Sequence, residues 1–139
     1  MVIADTGFWV ALANRRDVFH GRARAALADL REPLISTWPV LTETCHLLVN
    51  RLDASAQLKF IASFAQGAFV AWGLDSAHAP RLHTLMTGYA DLPMDLADAS
   101  LVLLAEHLGH GRILSTDRRD FNAYRWKEHE PFENLLLRY

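Results

Sequence analysis

The chain has 139 residues, of which 14 are basic and 16 acidic, giving a formal net charge of −2. This length predicts a single domain over residues 1–139, and 51% hydrophobic against 22% charged residues excludes a disordered chain. The single cysteine, Cys45, excludes an internal disulfide framework and a CxxC metal site, and the near-neutral charge excludes a wholly basic nucleic-acid-binding surface.

In the first half of the chain, the sequence predicts short apolar strands and helices. Strands are predicted over 2–4, 34–36 and 69–72, and helices over 8–13, 20–30, 39–52 and 54–66. Pro33 and Gly67 separate a helix from the strand that follows it, because neither residue suits a helix interior. Thr37 offers an N-cap for the helix that begins at Pro39.

The second half continues the same alternation. Helices are predicted over 76–89 and 95–108, a loop over 91–93, a strand over 113–116, a polar turn over 117–120 and a possible last strand over 135–137. Gly109 ends the helix over 95–108. Apolar strands between helices predict a mostly parallel sheet covered on both faces, which is a three-layer α/β/α sandwich. Sites in such sheets lie at the carboxyl ends of the strands.

Acidic residues follow two of these strands and begin two of the helices. Asp5 directly follows the first strand, and Asp117 directly follows the strand over 113–116. Glu43 lies early in its helix, Asp98 lies in the first turn of another, and Asp95 lies one turn before Asp98. If both strands are central and parallel, their carboxylates emerge at the same edge of the sheet, where the helical acids can join them.

Such crowding of acids has an energetic consequence. Two like charges about 4 Å apart repel by about 4 kcal/mol at an effective dielectric constant of about 20. A cluster of carboxylates therefore either raises its pKa values or binds a divalent cation, and all-oxygen sites suit Mg²⁺ or Mn²⁺. These ions hold phosphate oxygens, so a phosphodiester is the natural substrate.

Each acid alone also has a purely structural interpretation. Asp5 and Asp117 are in positions typical of turn or N-cap residues. Asp98 is favoured by the macrodipole of its helix, and Glu43 could be an exposed helical acid. The functional interpretation depends on all four acids meeting at one edge.

Four motifs occur in order along nearly the whole chain: ADTGFW at 4–9, TE at 42–43, LADASLV at 96–102 and STDRRDF at 115–121. This ordered set resembles the PIN-domain ribonucleases, and especially the VapC-type toxins of bacterial toxin–antitoxin pairs. The resemblance implies an α/β/α sandwich and cleavage of single-stranded RNA that depends on Mg²⁺ or Mn²⁺. It also implies a homodimer and a cognate antitoxin that covers the site.

The resemblance also implies which residues form the site. The acidic residues of the family correspond to Asp5, Glu43, Asp98 and Asp117, and we expect Asp5, Asp98 and Asp117 to hold one or two metal ions. Glu43 either binds metal or orients the attacking water. Secondary positions are Asp95, which matches an acid of some members, together with the hydroxyl residues Thr6 and Thr116. Many members have serine or asparagine after this threonine, whereas Gly7 stands here and is expected to lack only a side-chain hydroxyl.

Basic and aromatic residues near the predicted strand ends have two interpretations each. The arginines Arg118, Arg119, Arg15 and Arg16 could contact RNA phosphates, or they could belong to solvated polar turns. Trp9 and Trp38 are predicted to be core residues, with stacking on RNA bases as the alternative.

The residues also favour a location and leave rival functions open. No basic N-terminal region precedes a long apolar run, so a soluble cytoplasmic protein without a membrane segment is expected. A phosphotransfer enzyme of similar layout would need a lysine after a late strand, and neither Lys59 nor Lys127 lies there. The remaining alternatives are a non-catalytic RNA- or protein-binding module of the same fold and a housekeeping RNA-processing nuclease.

Overall fold

A computed structural model describes residues 1–137, in which strands and helices alternate. The strands are β1 (Val2–Ala4), β2 (Leu34–Thr37), β3 (Phe69–Trp72), β4 (Arg112–Leu114), β5 (Arg125–Trp126), β6 (Glu130–Pro131) and β7 (Glu133–Asn134). The helices are α1 (Thr6–Ala13), α2 (His20–Asp29), α3 (Trp38–Arg51), α4 (Ala54–Ala65), α5 (Ala79–Gly88), α6 (Leu96–Leu108) and α7 (Arg118–Ala123). The expected alternation of strands and helices is confirmed.

Five of the strands form a parallel sheet in the order β3-β2-β1-β4-β7, and helices flank it. The predicted α/β sandwich with a mostly parallel sheet is therefore confirmed. The central strand β1 pairs with β2 on one side and with β4 on the other, with Ile3 opposite both Ile35 and Ile113. Because the chain leaves β1 towards β2 and later returns to β4 on the opposite side, the strand order reverses here. Parallel α/β sheets bind their ligands at such a point.

Helix α6 is the most deeply buried helix among residues 1–137. Eight of its residues are buried, including Ala99, Leu101 and Leu104, which have no exposed surface. The Ser100 hydroxyl lies 2.6 Å from that of Thr37, so a buried hydrogen bond joins α6 to the end of β2. This packing holds the N-terminal turn of α6 at the carboxyl edge of the sheet.

The prediction of a strand over 113–116 is wrong at its C-terminal end, because β4 ends at Leu114. After Leu114, hydrogen bonds to side chains take the place of the backbone pairing between strands. The Ser115 backbone N–H donates to Asn134 Oδ1, and the Ser115 hydroxyl donates to Asp5. The polar turn predicted over 117–120 is also wrong, since α7 begins at Arg118. Asp117 caps this helix by accepting from the Asp120 N–H at 2.9 Å.

The end of the chain differs from the prediction in two further ways. The last strand of the sheet is Glu133–Asn134, and residues 135–137 lie beyond it, where Leu136 is a core residue. A hairpin of β5 and β6 was not predicted, because each strand has only two residues and shows no alternation. Its turn contains Lys127 and Glu128, both with positive φ.

The helix predicted over 76–89 is divided in two by the capping residues at its start. Asp75 and His78 form a capping box around a 3₁₀ turn over Ser76–His78, and α5 starts anew at Ala79 with Pro80 in its first turn. None of the helices in residues 1–137 combines the length and apolar character that a membrane crossing requires.

Candidate active site

The structure brings the four predicted acids to the carboxyl edge of the sheet. Asp5 follows β1 and caps α1, while Asp117 caps α7 just after β4. Glu43 lies in α3 and Asp98 in the first turn of α6. The acids interact electrostatically: the charges of Glu43 and Asp117 raise the pKa of Asp5, and the charges of Asp5 and Asp117 raise the pKa of Asp98. The structure therefore brings these four carboxyl groups near one another at one edge of the sheet.

Asp5 is the most buried member, with 7% of its surface exposed. Its pKa is raised to about 6, chiefly by burial and to a smaller extent by the nearby carboxylates of Glu43 and Asp117. Two hydrogen bonds oppose this rise, from the Thr6 N–H at 2.7 Å and from the Ser115 hydroxyl at 2.8 Å. Asp5 is thus a weaker acid than an exposed aspartate, because it is buried among other acids.

Asp98 is held by a tyrosine from the opposite side of the cluster. The Tyr124 hydroxyl donates to Asp98 Oδ2 at 2.9 Å, and the Tyr124 side chain has no exposed surface. Burial and the neighbouring Asp95 raise the pKa of Asp98 to about 7, and the Tyr124 hydrogen bond opposes this rise. The same burial and the Asp98 charge raise the pKa of Tyr124, which keeps its hydroxyl a hydrogen-bond donor.

Glu43 and Asp95 form the outer part of the cluster. Burial raises the pKa of Glu43, and Asp95 raises it further through its charge and a shared hydrogen bond. The Thr6 hydroxyl faces Glu43 and opposes the rise in its pKa, yet this buried hydroxyl makes no hydrogen bond of normal geometry. Asp95 also caps α6 by accepting from the Asp98 N–H at 2.8 Å. The predicted secondary residues Thr6 and Asp95 therefore belong to the same edge.

Ser115 connects two of the acids. Its hydroxyl donates to Asp5 Oδ2 and accepts from the Asp117 N–H at 3.0 Å. Burial raises the pKa of Asp117, and the positive charge of Arg119 opposes that rise. A single buried hydroxyl thereby links the acids that follow β1 and β4.

Two positioning residues were not predicted from the sequence. Ser115 lies within a motif that already indicated the site, so its position next to Thr116 and Asp117 was a usable signal. Tyr124 offered no signal, because it is seven residues after Asp117 and reaches Asp98 only through tertiary packing, in which its ring contacts Phe121 of α7. Tertiary structure alone assigns Tyr124 to the site.

The predicted arginines divide into two groups. Arg118 and Arg119 begin α7 directly after Asp117, and the Arg119 side chain is 77% exposed. Arg15 and Arg16 lie in the turn after α1, and eight helical residues extend about 12 Å from the acidic edge. The structure therefore brings Arg118 and Arg119 to the acids and leaves Arg15 and Arg16 at the far end of α1.

Four helices begin at this edge, namely α1, α3, α6 and α7. Helix N-termini carry partial positive charge, so their dipoles partly offset the negative charge of the carboxylates. Within residues 1–137, however, no three His, Cys, Asp or Glu side chains are arranged as a ready-made metal-binding group. The acids share one edge without the close spacing of a complete ligand set.

The expectation that Gly7 lacks only a side-chain hydroxyl is wrong, because there is no space for a side chain at this position. A Cβ atom added at Gly7 would lie 1.9 Å from Thr116 Oγ1 and 3.1 Å from Thr116 Cβ. The Thr116 side chain therefore occupies the space that a side chain at position 7 would need. Glycine at this position allows α1 and the segment after β4 to approach closely.

We predict that Gly7→Ala destabilises the protein by roughly 1–2 kcal/mol, because the new methyl group must displace Thr116. The matched control is Gly21→Ala, since Gly21 is also the second residue of its helix and has no atom within 4 Å of an added Cβ. Gly21→Ala should stabilise by up to about 1 kcal/mol, as usual for glycine to alanine in a helix. Urea unfolding measures the change in the free energy of unfolding for both variants. Equal stabilisation by the two substitutions would refute the close contact between position 7 and Thr116.

The chain resembles proteins of Mycobacterium tuberculosis in sequence and in fold. It is 27% identical to Ribonuclease VapC26 of that organism over 124 residues, which cover 89% of this chain and 92% of the relative. The crystal structure of VapC20, described as a sarcin-ricin loop cleaving toxin, matches with a TM-score of 0.77 and 21% identity, covering 86% of this chain and 92% of that chain. No family model matches the chain.

Proposed function

We propose that this chain, a VapC-type PIN-domain protein in its motifs and fold, is an endoribonuclease and the toxin of a toxin–antitoxin pair. The observation that carries the proposal is the meeting of Asp5, Glu43, Asp98 and Asp117 at the point where the strand order reverses. The relatives support it, since one is named a ribonuclease and the other a sarcin-ricin loop cleaving toxin.

The donor chemistry of the cluster suits a divalent cation such as Mg²⁺ or Mn²⁺. Carboxylate oxygens are hard ligands, and an ionised carboxylate has about four lone-pair sites, more than the one or two hydrogen bonds that hold Asp5, Asp98 and Asp117 here. The buried Thr6 hydroxyl without a hydrogen bond is a further oxygen available to a ligand or its water shell. Asp5, Asp98 and Asp117 would hold the cation.

When bound, the cation would stabilise negative charge on the phosphate and lower the pKa of a coordinated water. The other roles belong to side chains of the protein. Glu43 would either bind the cation or orient the attacking water and accept its proton, and burial and Asp95 raise its pKa, which favours a general base. Tyr124 and Ser115 fix the rotamers of Asp98 and Asp5. We expect Arg118 and Arg119, which begin α7 directly after Asp117, to contact phosphates beside the site.

We further propose an antitoxin partner, a homodimer and a cytoplasmic location. An antitoxin would cover the acidic edge and block RNA, and a homodimer is proposed from the family resemblance. Such a toxin would act on RNA in the cytoplasm. A small reading frame directly upstream of the gene would support the toxin assignment over that of a housekeeping nuclease.

The function is tested by incubating the purified chain with unstructured RNA. We expect cleavage with Mg²⁺ or Mn²⁺ and none after EDTA, because the carboxylates alone repel the phosphate backbone. Restoring Mn²⁺ after EDTA should restore cleavage, which separates metal removal from denaturation. Cleavage that persists unchanged in EDTA would contradict the proposed cation, and RNA binding without cleavage under every condition would favour the non-catalytic alternative.

A further inference from the structure

The four tryptophans differ sharply in their environments. Trp9 is 6% exposed and packs against Phe8, Phe60 and Phe69, as predicted for a core residue. Trp38 is 52% exposed, so the prediction that it also belongs to the core is wrong. Trp72 and Trp126 are partly buried, and each has a partner: Trp72 stacks on His107, and Trp126 donates to the Pro131 carbonyl. Trp38 therefore exposes the most indole surface.

Trp38 lines an open groove next to the acids. The groove has a volume of about 730 Å³, and its apolar lining includes Trp38, Leu74, Leu82 and Leu96. Leu96 is 47% exposed, so two large apolar side chains face solvent together. Glu43 and Asp95 line the same groove, which makes it continuous with the catalytic edge. Its volume is in the range of sites that hold small molecules or single nucleotides.

The orientation of the Trp38 ring is set by its neighbours. The Phe64 ring from α4 packs against it edge to face, with centroids 5.6 Å apart and an interplanar angle of 79°. Trp38 is also the first residue of α3 and is followed by Pro39, whose ring restricts the backbone. An indole held in this way loses little conformational entropy when it binds a flat ligand.

We propose that Trp38 stacks one base of the RNA substrate and places the adjoining phosphodiester at the acidic cluster; this rests on the function proposed above. The acids repel the RNA backbone, so part of the binding energy must come from the bases. Stacking on an aromatic side chain is the usual source of such energy for single-stranded RNA.

The same residues favour RNA over a second copy of the chain as the occupant. A second copy lying on the groove would bury the carboxylates of Glu43 and Asp95, and burying charges without partners is costly. A nucleotide has its base on the apolar part of the groove while its phosphate reaches the cation site.

The test combines a protein substitution with a substrate substitution. A short RNA containing one cleavage site is prepared intact and with a single abasic ribonucleotide at each position around the cut. With the wild-type chain, one abasic position should lower kcat/KM roughly tenfold. Trp38→Ala should show a similar loss on intact RNA and no further loss at that position, whereas Trp38→Phe should keep most of the activity.

Leu58→Ala is the matched control, because Leu58 is 68% exposed and lies in α4, outside the groove lining. It should leave the abasic profile unchanged. Equal losses for Trp38→Ala on intact and abasic RNA at every position would overturn base stacking. Conversion of a dimer to a monomer by Trp38→Ala, measured by sedimentation, with no dependence on the abasic position, would overturn it in favour of an interface between copies.

A binding measurement separates this proposal from the proposed function. Anisotropy of labelled RNA is followed with Asp98→Asn and with Asp98→Asn/Trp38→Ala, neither of which is expected to cleave. Dependence of binding on both Trp38 and one base supports the stacking site even if the wild-type chain fails to cleave RNA. Cleavage by the wild-type chain without that dependence removes the stacking site and leaves the endoribonuclease assignment intact.

Discussion

Asp98→Asn should lower RNA cleavage by on the order of 10³-fold, because it removes one charge from the proposed cation site. The asparagine has nearly the same shape, and its carbonyl oxygen can still accept the hydrogen bond from Tyr124. The fold around the site should therefore remain intact. The measurement is kcat/KM on unstructured RNA at saturating Mn²⁺, with circular dichroism to confirm folding.

Asp29→Asn is the matched control, since Asp29 is an exposed acid at the end of α2, outside the cluster. It should leave cleavage within about twofold, as expected for a surface substitution away from the site. Tyr124→Phe should lie between the two, with a loss of roughly 10–100-fold, because residues that orient metal ligands typically contribute that much. Full activity in Asp98→Asn would remove Asp98 from the mechanism.

Without divalent cations, the protein should lose stability as the pH rises from about 4 to about 7. The folded state holds protons on Asp5 and Asp98, whose pKa values are raised to about 6 and about 7, whereas the unfolded chain releases them near pH 4. Raising the pH through this range therefore favours the unfolded state. The expected decrease is roughly 2–4 kcal/mol in the free energy of unfolding, discounted for the partial exposure of Asp98.

Urea unfolding in EDTA at pH 4.5–8 measures this decrease, and Asp98→Asn should reduce it. Glu32 has the opposite effect on the pH dependence of stability, because Arg112 and the N-terminal amine lower its pKa to about 2. This effect is the same in the wild type and in Asp98→Asn. Mn²⁺ should restore stability above about pH 6, where the carboxylates are charged and can bind it. Parallel pH profiles for the wild type and Asp98→Asn would show that Asp98 titrates normally.

Much of the site could be predicted because its residues lie next to elements with strong local signals. Apolar strands at β1 and β4 are followed at once, or within three residues, by Asp5 and Asp117, and parallel strands end at the same edge. Asp95 and Asp98 begin the helix with the most continuous apolar sequence. The structural and functional interpretations of these acids also prove compatible, since Asp5, Asp95 and Asp117 all cap helices while they belong to the cluster.

Other features depended on packing between distant segments. The two-residue strands β5 and β6 have no periodicity of their own, and the hydrogen bond between Tyr124 and Asp98 joins segments 26 residues apart. Trp9 lies five residues after β1 and Trp38 directly after β2, yet one is buried and the other half exposed. Burial depends on what the neighbouring helices cover, and local sequence does not encode that.

The amino-acid sequence by itself determined the alternation of elements, the parallel sheet and the identity of the acids, because these follow from local hydrophobic patterns and from residues adjacent to strand ends. Only the tertiary structure decided that the strand order reverses beside Asp5, that Ser115 and Tyr124 hold the acids, and that Trp38 faces an open groove. Those features arise from contacts across the sheet, whose geometry depends on the whole packed chain.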